Sequence, residues 1–283
     1  MSLQHIAVIG AGTMGNGIAQ VCAVAGFDVT LVDISDTALE RGVATVRKNL
    51  ERQVNKQTID NDSAKAALQR IQTTTDYAQL DGAQLVIEAA TENLDLKLRL
   101  LKMIASHVGR DCVIASNTSS LSITELAASV EFPERFIGLH FFNPVPMMGL
   151  IEVIRGLQTA DETHVAAIKL AERLNKTAIT AGNRPGFVVN RILVPMINEA
   201  ILVLQEGLAT AQDIDDGMRL GCNQPIGPLA LADLIGLDTL LAIVEAFHDG
   251  FNDSKYRPAP LLKEMVAAGY LGRKSGRGFF VYN

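Results

Sequence analysis

Residues 10–15 read Gly10-Ala11-Gly12-Thr13-Met14-Gly15, set between an apolar run ending at Ile9 and a helical pattern that continues through Ala25. A strand that turns this sharply into a helix restricts the fold, because the helix must pack back over the sheet that holds the strand. Each glycine has its own task. Gly10 permits the tight turn, Gly12 lets the backbone approach a diphosphate, and Gly15 allows close helix–strand packing. The helix N-terminus then offers free N–H groups and a positive dipole end to an anion.

The glycine spacing alone is a weak signal, but its context strengthens it. Asp33 closes the next β-rich run, where an acid accepts hydrogen bonds from the ribose hydroxyls of an adenosine and repels a 2′-phosphate. The expected cofactor is therefore NAD, not NADP, held by Gly10, Ala11, Gly12, Thr13, Met14, Gly15 and Asp33. The competing reading is a glycine turn of some other α/β protein with Asp33 capping a loop. Strand, glycines and acid together weigh against it.

Short β-rich runs alternate with helical patterns over roughly the first 180 residues, as in a parallel sheet covered by helices. Strands are expected near Ile6–Ile9, Val29–Val32, Ile71–Thr74, Leu85–Glu88, Val113–Ala115, Phe136–Phe142, Ile151–Ile154 and Ala178–Thr180. Residues 36–70 are long, helix-prone and charged, with a break and cap at Asn61-Asp62-Ser63. A helical hairpin projecting from the sheet is predicted there. The breakers Asn183-Arg184-Pro185-Gly186 mark a boundary, followed by helical patterns at about 187–205, 211–220, 229–249 and 258–269 and a short β-like tail, 278–282. The expected fold class is α/β: a Rossmann-type, mostly parallel sheet with a helical-hairpin insertion (1–183), then an all-helical C-terminal domain (184–283). The apolar surplus of those last helices suggests dimerisation there, hence a homodimer.

A formal charge of −6 argues against nucleic acid as a partner. Cys22, Cys112 and Cys222 lie far apart among apolar residues and are expected to be buried, reduced thiols. Neither they nor the five histidines show a metal-ligand spacing. No apolar run is long enough to span a bilayer, and Gln4–Ile9 already reads as a strand, leaving no room for an address label. The expectation is a cytoplasmic protein with no membrane partner.

Three segments are chemically odd. Ala115-Ser116-Asn117-Thr118-Ser119-Ser120 is a polar cluster ending a buried strand, at the sheet edge where α/β proteins bind ligands. His140 ends an apolar strand, and Glu152 interrupts the apolar run 150–154. An unpaired carboxylate there would cost several kcal/mol, so a buried His140–Glu152 pair resolves both anomalies. Alternatives stay open: a structural arginine partner for Glu152, a helix-cap role for Ser119 or its serine neighbours, a solvent-facing Asn190.

Taken together, the glycine fingerprint, Ser116–Ser120, His140-Phe141-Phe142-Asn143-Pro144, the segment Pro185–Arg191 and the tail Gly272–Gly276 resemble the L-3-hydroxyacyl-CoA dehydrogenase family, in order from about residue 4 to 282. The resemblance implies NAD-dependent oxidation of (S)-3-hydroxybutyryl-CoA or a similar short 3-hydroxyacyl-CoA, within fatty acid metabolism. It implies His140 as general acid/base, Glu152 orienting the imidazole, and Ser119 and Asn190 on the substrate oxygens. Glu92, Lys97, Ser119, Asn143 and Lys274 match cofactor contacts. In the hairpin, Lys56 matches a coenzyme A phosphate contact, helped by Asn49, although Arg47, Lys48 and Arg52 beside it fit a solvated face equally well. Gly149 departs from the pattern, standing where many relatives carry a basic residue. Two rival functions share the scaffold: an L-gulonate-type hydroxyacid dehydrogenase, and a non-catalytic, crystallin-like NAD-binding protein.

Overall fold

The structure, a computed structural model, describes residues 3–282, and the chain divides into two compact units between Arg184 and Pro185. In the first unit eight short strands form one sheet. They are β1 (His5–Ile9), β2 (Asp28–Val32), β3 (Ile71–Thr74), β4 (Leu85–Glu88), β5 (Val113–Ser116), β6 (Phe136–Phe141), β7 (Leu150–Arg155) and β8 (Thr177–Gly182). Their order is β3-β2-β1-β4-β5-β6-β7-β8, parallel throughout except between β6 and β7. Helices on both faces keep the central strands from water, which is why β1, β4 and β6 are near-continuous apolar runs instead of alternating ones.

Between β1 and β2 lies α1 (Thr13–Val24), buried along Ile18, Ala19, Cys22 and Ala23. Then follow α2 (Asp36–Asn55), α3 (Asn61–Gln69), α4 (Leu94–Ala105), α5 (Ile123–Ala127) and α6 (Asp161–Arg173). The expected helical hairpin is α2–α3, and its inner face belongs to the core of the sheet. Leu39, Val46 and Leu50 of α2 and Ala67 of α3 join the same core as Ile6, Val8 and Ile18. They repeat at helical spacing, so one stripe packs inward while the charged face stays outside. The cap of α3 is Asp60, one residue before the expected break, and its carboxylate accepts the Ser63 N–H at 2.7 Å.

The second unit packs α7 (Val189–Gln205), α8 (Ala211–Asp216), α9 (Pro228–Ile235), α10 (Leu237–Phe251) and α11 (Pro260–Ala267) around Ile197, Ile201, Leu229, Leu240, Phe247 and Leu262. The single helix expected over 229–249 is two, because Gly236 takes φ +98° and breaks the ladder. Tail residues 278–282 form isolated bridges instead of a strand. The buried Asp233 carboxylate anchors them, accepting the N–H groups of Phe279 and Phe280 at 2.9 Å each. The cysteine expectation needs one correction: Cys22 and Cys112 are buried, whereas Cys222 is exposed, just past the turn that follows α8.

Candidate active site

The parallel strands β1, β4, β5 and β6 deliver Gly10, Glu88, Ser116 and His140 to one edge of the sheet, the edge formed by their C-terminal ends. Gly10 adopts φ +98°, and a Cβ there would lie 2.8 Å from the Ala90 Cα. A Cβ on Gly15 would fall 1.7 Å from the Gly10 carbonyl oxygen, so only glycine lets α1 start this close to β1. At Gly12 a Cβ meets nothing within 4 Å, and no side chain caps α1. The turn therefore combines an uncapped helix N-terminus with room for a diphosphate. Asp33 stands just beyond β2, its Oδ2 accepting the Ala11 N–H at 2.8 Å and its Oδ1 the Ser35 N–H at 3.2 Å. A carboxylate has about four acceptor positions, so ribose hydroxyls are still accommodated. These residues fit a dinucleotide.

On β6 and β7, His140 and Glu152 are register partners across the antiparallel pair. Nδ1 of His140 and Oε2 of Glu152 lie 2.7 Å apart, with Glu152 0% and His140 5% exposed. Phe142 packs on the imidazole, ring centroids 4.5 Å apart. Inward-facing side chains of adjacent strands are held by the sheet itself, so the ring's orientation is set by backbone pairing and one carboxylate.

Ser119 sits in the loop after β5. Glu92 receives its N–H at 2.9 Å, its hydroxyl at 3.3 Å and the Thr118 hydroxyl at 2.7 Å. The capping role open to the serines belongs to Ser122, whose Oγ accepts the Glu125 N–H at the start of α5. Asn143, exposed, opens the loop between β6 and β7. Lys97 is only 1% exposed; its ammonium pairs with Glu88 and donates to the Ser116 hydroxyl at 3.2 Å.

Asn49 and Lys56 belong to the first unit, Asn190 and Lys274 to the second. Asn49 and Lys56 share the outer part of α2 and its C-cap, with Lys56 fully outside and Asn49 half-buried. Asn190 is in the first turn of α7, half-buried. Lys274 bonds both oxygens of Asp238, at 2.5 and 2.6 Å, at the N-terminus of α10. A groove of about 790 Å³ opens at the opposite ends of β4–β6, among Leu85, Val113, Ile137 and Leu170. It holds neither the glycine turn nor the His–Glu pair.

Two supporting residues, Lys176 and Glu88, escaped the sequence reading, and Asn117 was read only as part of the polar cluster 115–120. Asn117 accepts the Phe141 N–H at 2.8 Å, pinning the strand end beside His140. Lys176 donates to the carbonyls of Val145 and Met148, at 2.8 and 2.5 Å, and so ties down the loop that begins at Asn143. Glu88 is a wholly buried acid closing an apolar run, the same signal that marked Glu152.

The sequence profile described as the NAD binding domain of 3-hydroxyacyl-CoA dehydrogenase matches residues 5–184. The profile described as that enzyme's C-terminal domain matches residues 186–282. A probable 3-hydroxybutyryl-CoA dehydrogenase of Bacillus subtilis is 49% identical over 282 residues, covering 100% of this chain and 98% of that protein. The 3-hydroxybutyryl-CoA dehydrogenase of Bradyrhizobium diazoefficiens is 49% identical over 280 residues, covering 99% and 96%. The crystal structure of (S)-3-hydroxybutyryl-CoA dehydrogenase from Ralstonia eutropha superposes with a TM-score of 0.98 at 59% identity, each chain covered completely.

Proposed function

The chain belongs to the 3-hydroxyacyl-CoA dehydrogenase family, and from that premise we propose that it interconverts (S)-3-hydroxybutyryl-CoA, or a similarly short 3-hydroxyacyl-CoA, with its 3-oxo form. The observation that carries the proposal is the His140–Glu152 pair, 2.7 Å apart and buried at the strand edge that also holds the dinucleotide turn.

NAD, when bound, supplies the hydride acceptor. The chain supplies the proton chemistry and the placement. With Nδ1 held by Glu152, Nε2 of His140 takes the proton of the 3-hydroxyl as C3 loses its hydride. Glu152 stabilises the resulting imidazolium, and in the reverse direction that imidazolium returns the proton. Ser119 and Asn190 hydrogen-bond the substrate oxygens. Gly10 to Gly15 and Asp33 hold the dinucleotide, with Glu92, Lys97, Ser119, Asn143 and Lys274 as further contacts. Lys56, with Asn49, receives the coenzyme A phosphates. The working form is a cytoplasmic homodimer paired through the helices of the second unit.

Turnover of acetoacetyl-CoA with NADH, against unesterified acetoacetate and gulonate, tests the substrate. The thioester is expected to be the favoured substrate by a wide margin. Negligible activity on the thioester would contradict the proposal, and turnover of the free acids alone would favour a hydroxyacid dehydrogenase.

A further inference from the structure

Glu88, Lys97 and Ser116 are three polar side chains with at most 1% exposure, brought together from β4, α4 and β5. Oε2 of Glu88 accepts from the Lys97 ammonium and, at 2.8 Å, from the Ser116 hydroxyl; Oε1 accepts the Ala90 N–H at 2.9 Å. Burying this pair is a poor way to gain stability, because apolar side chains of similar volume do as well or better. Its geometry suggests another use.

The carboxylate and the ammonium grip the two ends of the connection from β4 to α4. Between them run Ala89 and Ala90, which lie against the Gly10 turn: a Cβ on Gly10 would be 2.9 Å from the Ala89 oxygen and 2.8 Å from the Ala90 Cα. Two residues further on is Glu92, which holds Thr118 and Ser119. One short segment thus touches the dinucleotide turn on one side and the serine loop on the other.

We infer that the Glu88–Lys97–Ser116 cluster is a strut that positions Glu92, and through it Ser119, against the dinucleotide turn. Lys97 on this account acts through the 89–93 segment, in addition to the cofactor contact that the family resemblance implies. The inference rests on the proposed substrate role of Ser119. A misplacement of about 1 Å at such a group costs roughly 100-fold in rate, so a strut set back from the chemistry has a large lever.

The test is a double-mutant cycle in the full-length protein, Lys97→Met with Glu92→Gln, read as kcat/KM for acetoacetyl-CoA. Lys97→Met should lower kcat/KM by about 10- to 100-fold in the native background. With Glu92→Gln already present, it should change kcat/KM by less than about threefold. A second readout needs no turnover: in the cofactor-free protein, amide hydrogen exchange over residues 89–93 should rise in Lys97→Met while β6 and β7 stay protected. Because Lys97→Met leaves the Glu88 charge alone in the core, the variant Glu88→Leu/Lys97→Met guards against misfolding. It should keep its melting temperature and still show the kinetic loss. Equal losses in both Glu92 backgrounds, unchanged exchange at 89–93, or native kinetics in the charge-free double variant would each overturn the strut. If the unmutated enzyme ignores acetoacetyl-CoA, the substrate reading falls, and the exchange measurement still decides whether the strut exists.

Discussion

The carboxylate of Glu152 is wholly buried and the imidazole of His140 nearly so, and the two are hydrogen-bonded at 2.7 Å. Removing one partner of such a pair costs about 3–5 kcal/mol. Glu152→Gln keeps shape and an acceptor oxygen but loses the charge that steadies an imidazolium. It is expected to fold and to lose roughly 10²–10⁴-fold in kcat, checked by steady-state kinetics beside circular dichroism. Glu152 was readable in the sequence because an acid in an apolar strand demands a partner. Glu88 carries the same mark, yet its partners come from a helix and a neighbouring strand, so no local spacing announces them. The thiols behave by environment as well. Burial pushes Cys22 and Cys112 from an ordinary value of 9.0 up to about 12. In the native protein at pH 8 only the exposed Cys222 is expected to react promptly with a disulfide reagent, and all three should react in denaturant. The two buried thiols also set a sign. Their folded pKa lies above the unfolded one, so their contribution to stability is complete below about pH 9 and falls as pH rises toward 12. Denaturant titrations from pH 8 to 11 should show this decline.

At the level of elements, the turn from β1 into α1 has the least freedom. Gly15→Ala would set a methyl 1.7 Å from the Gly10 oxygen. The variant is expected to lose NADH binding, measured by fluorescence, together with several degrees of melting temperature. Asp60→Ala, which removes the cap of α3, should lower the midpoint of a denaturant titration and leave turnover unchanged. Strands were the most legible elements. Leu85–Glu88 follows the turn residues Asp81-Gly82 and is buried at every position, while Ile71–Thr74, partly exposed at the sheet edge, is marked by its β-branched residues. The division of α9 from α10 was illegible, because apolar spacing runs on through Gly236, and a glycine inside a helical pattern does not reveal a φ of +98°. Similarly, the inward stripe of α2 was masked by its many charges.

Across the whole molecule, the acidic balance, the two matched family regions and the nucleotide turn point to one chemistry on an acyl thioester. The second unit exposes Ile192, Leu208, Leu220, Leu234 and Val281, more large apolar surface than an isolated helical unit needs. Sedimentation equilibrium is expected to give twice the chain mass, and a single-chain mass would contradict the dimer. The most direct test of the central claim is His140→Asn, whose amide can still donate to Glu152 where Nδ1 did, while no side-chain base remains. Measured with acetoacetyl-CoA and NADH, kcat should fall by about 10²–10⁴-fold with NADH affinity preserved. Native turnover by this variant would contradict the account.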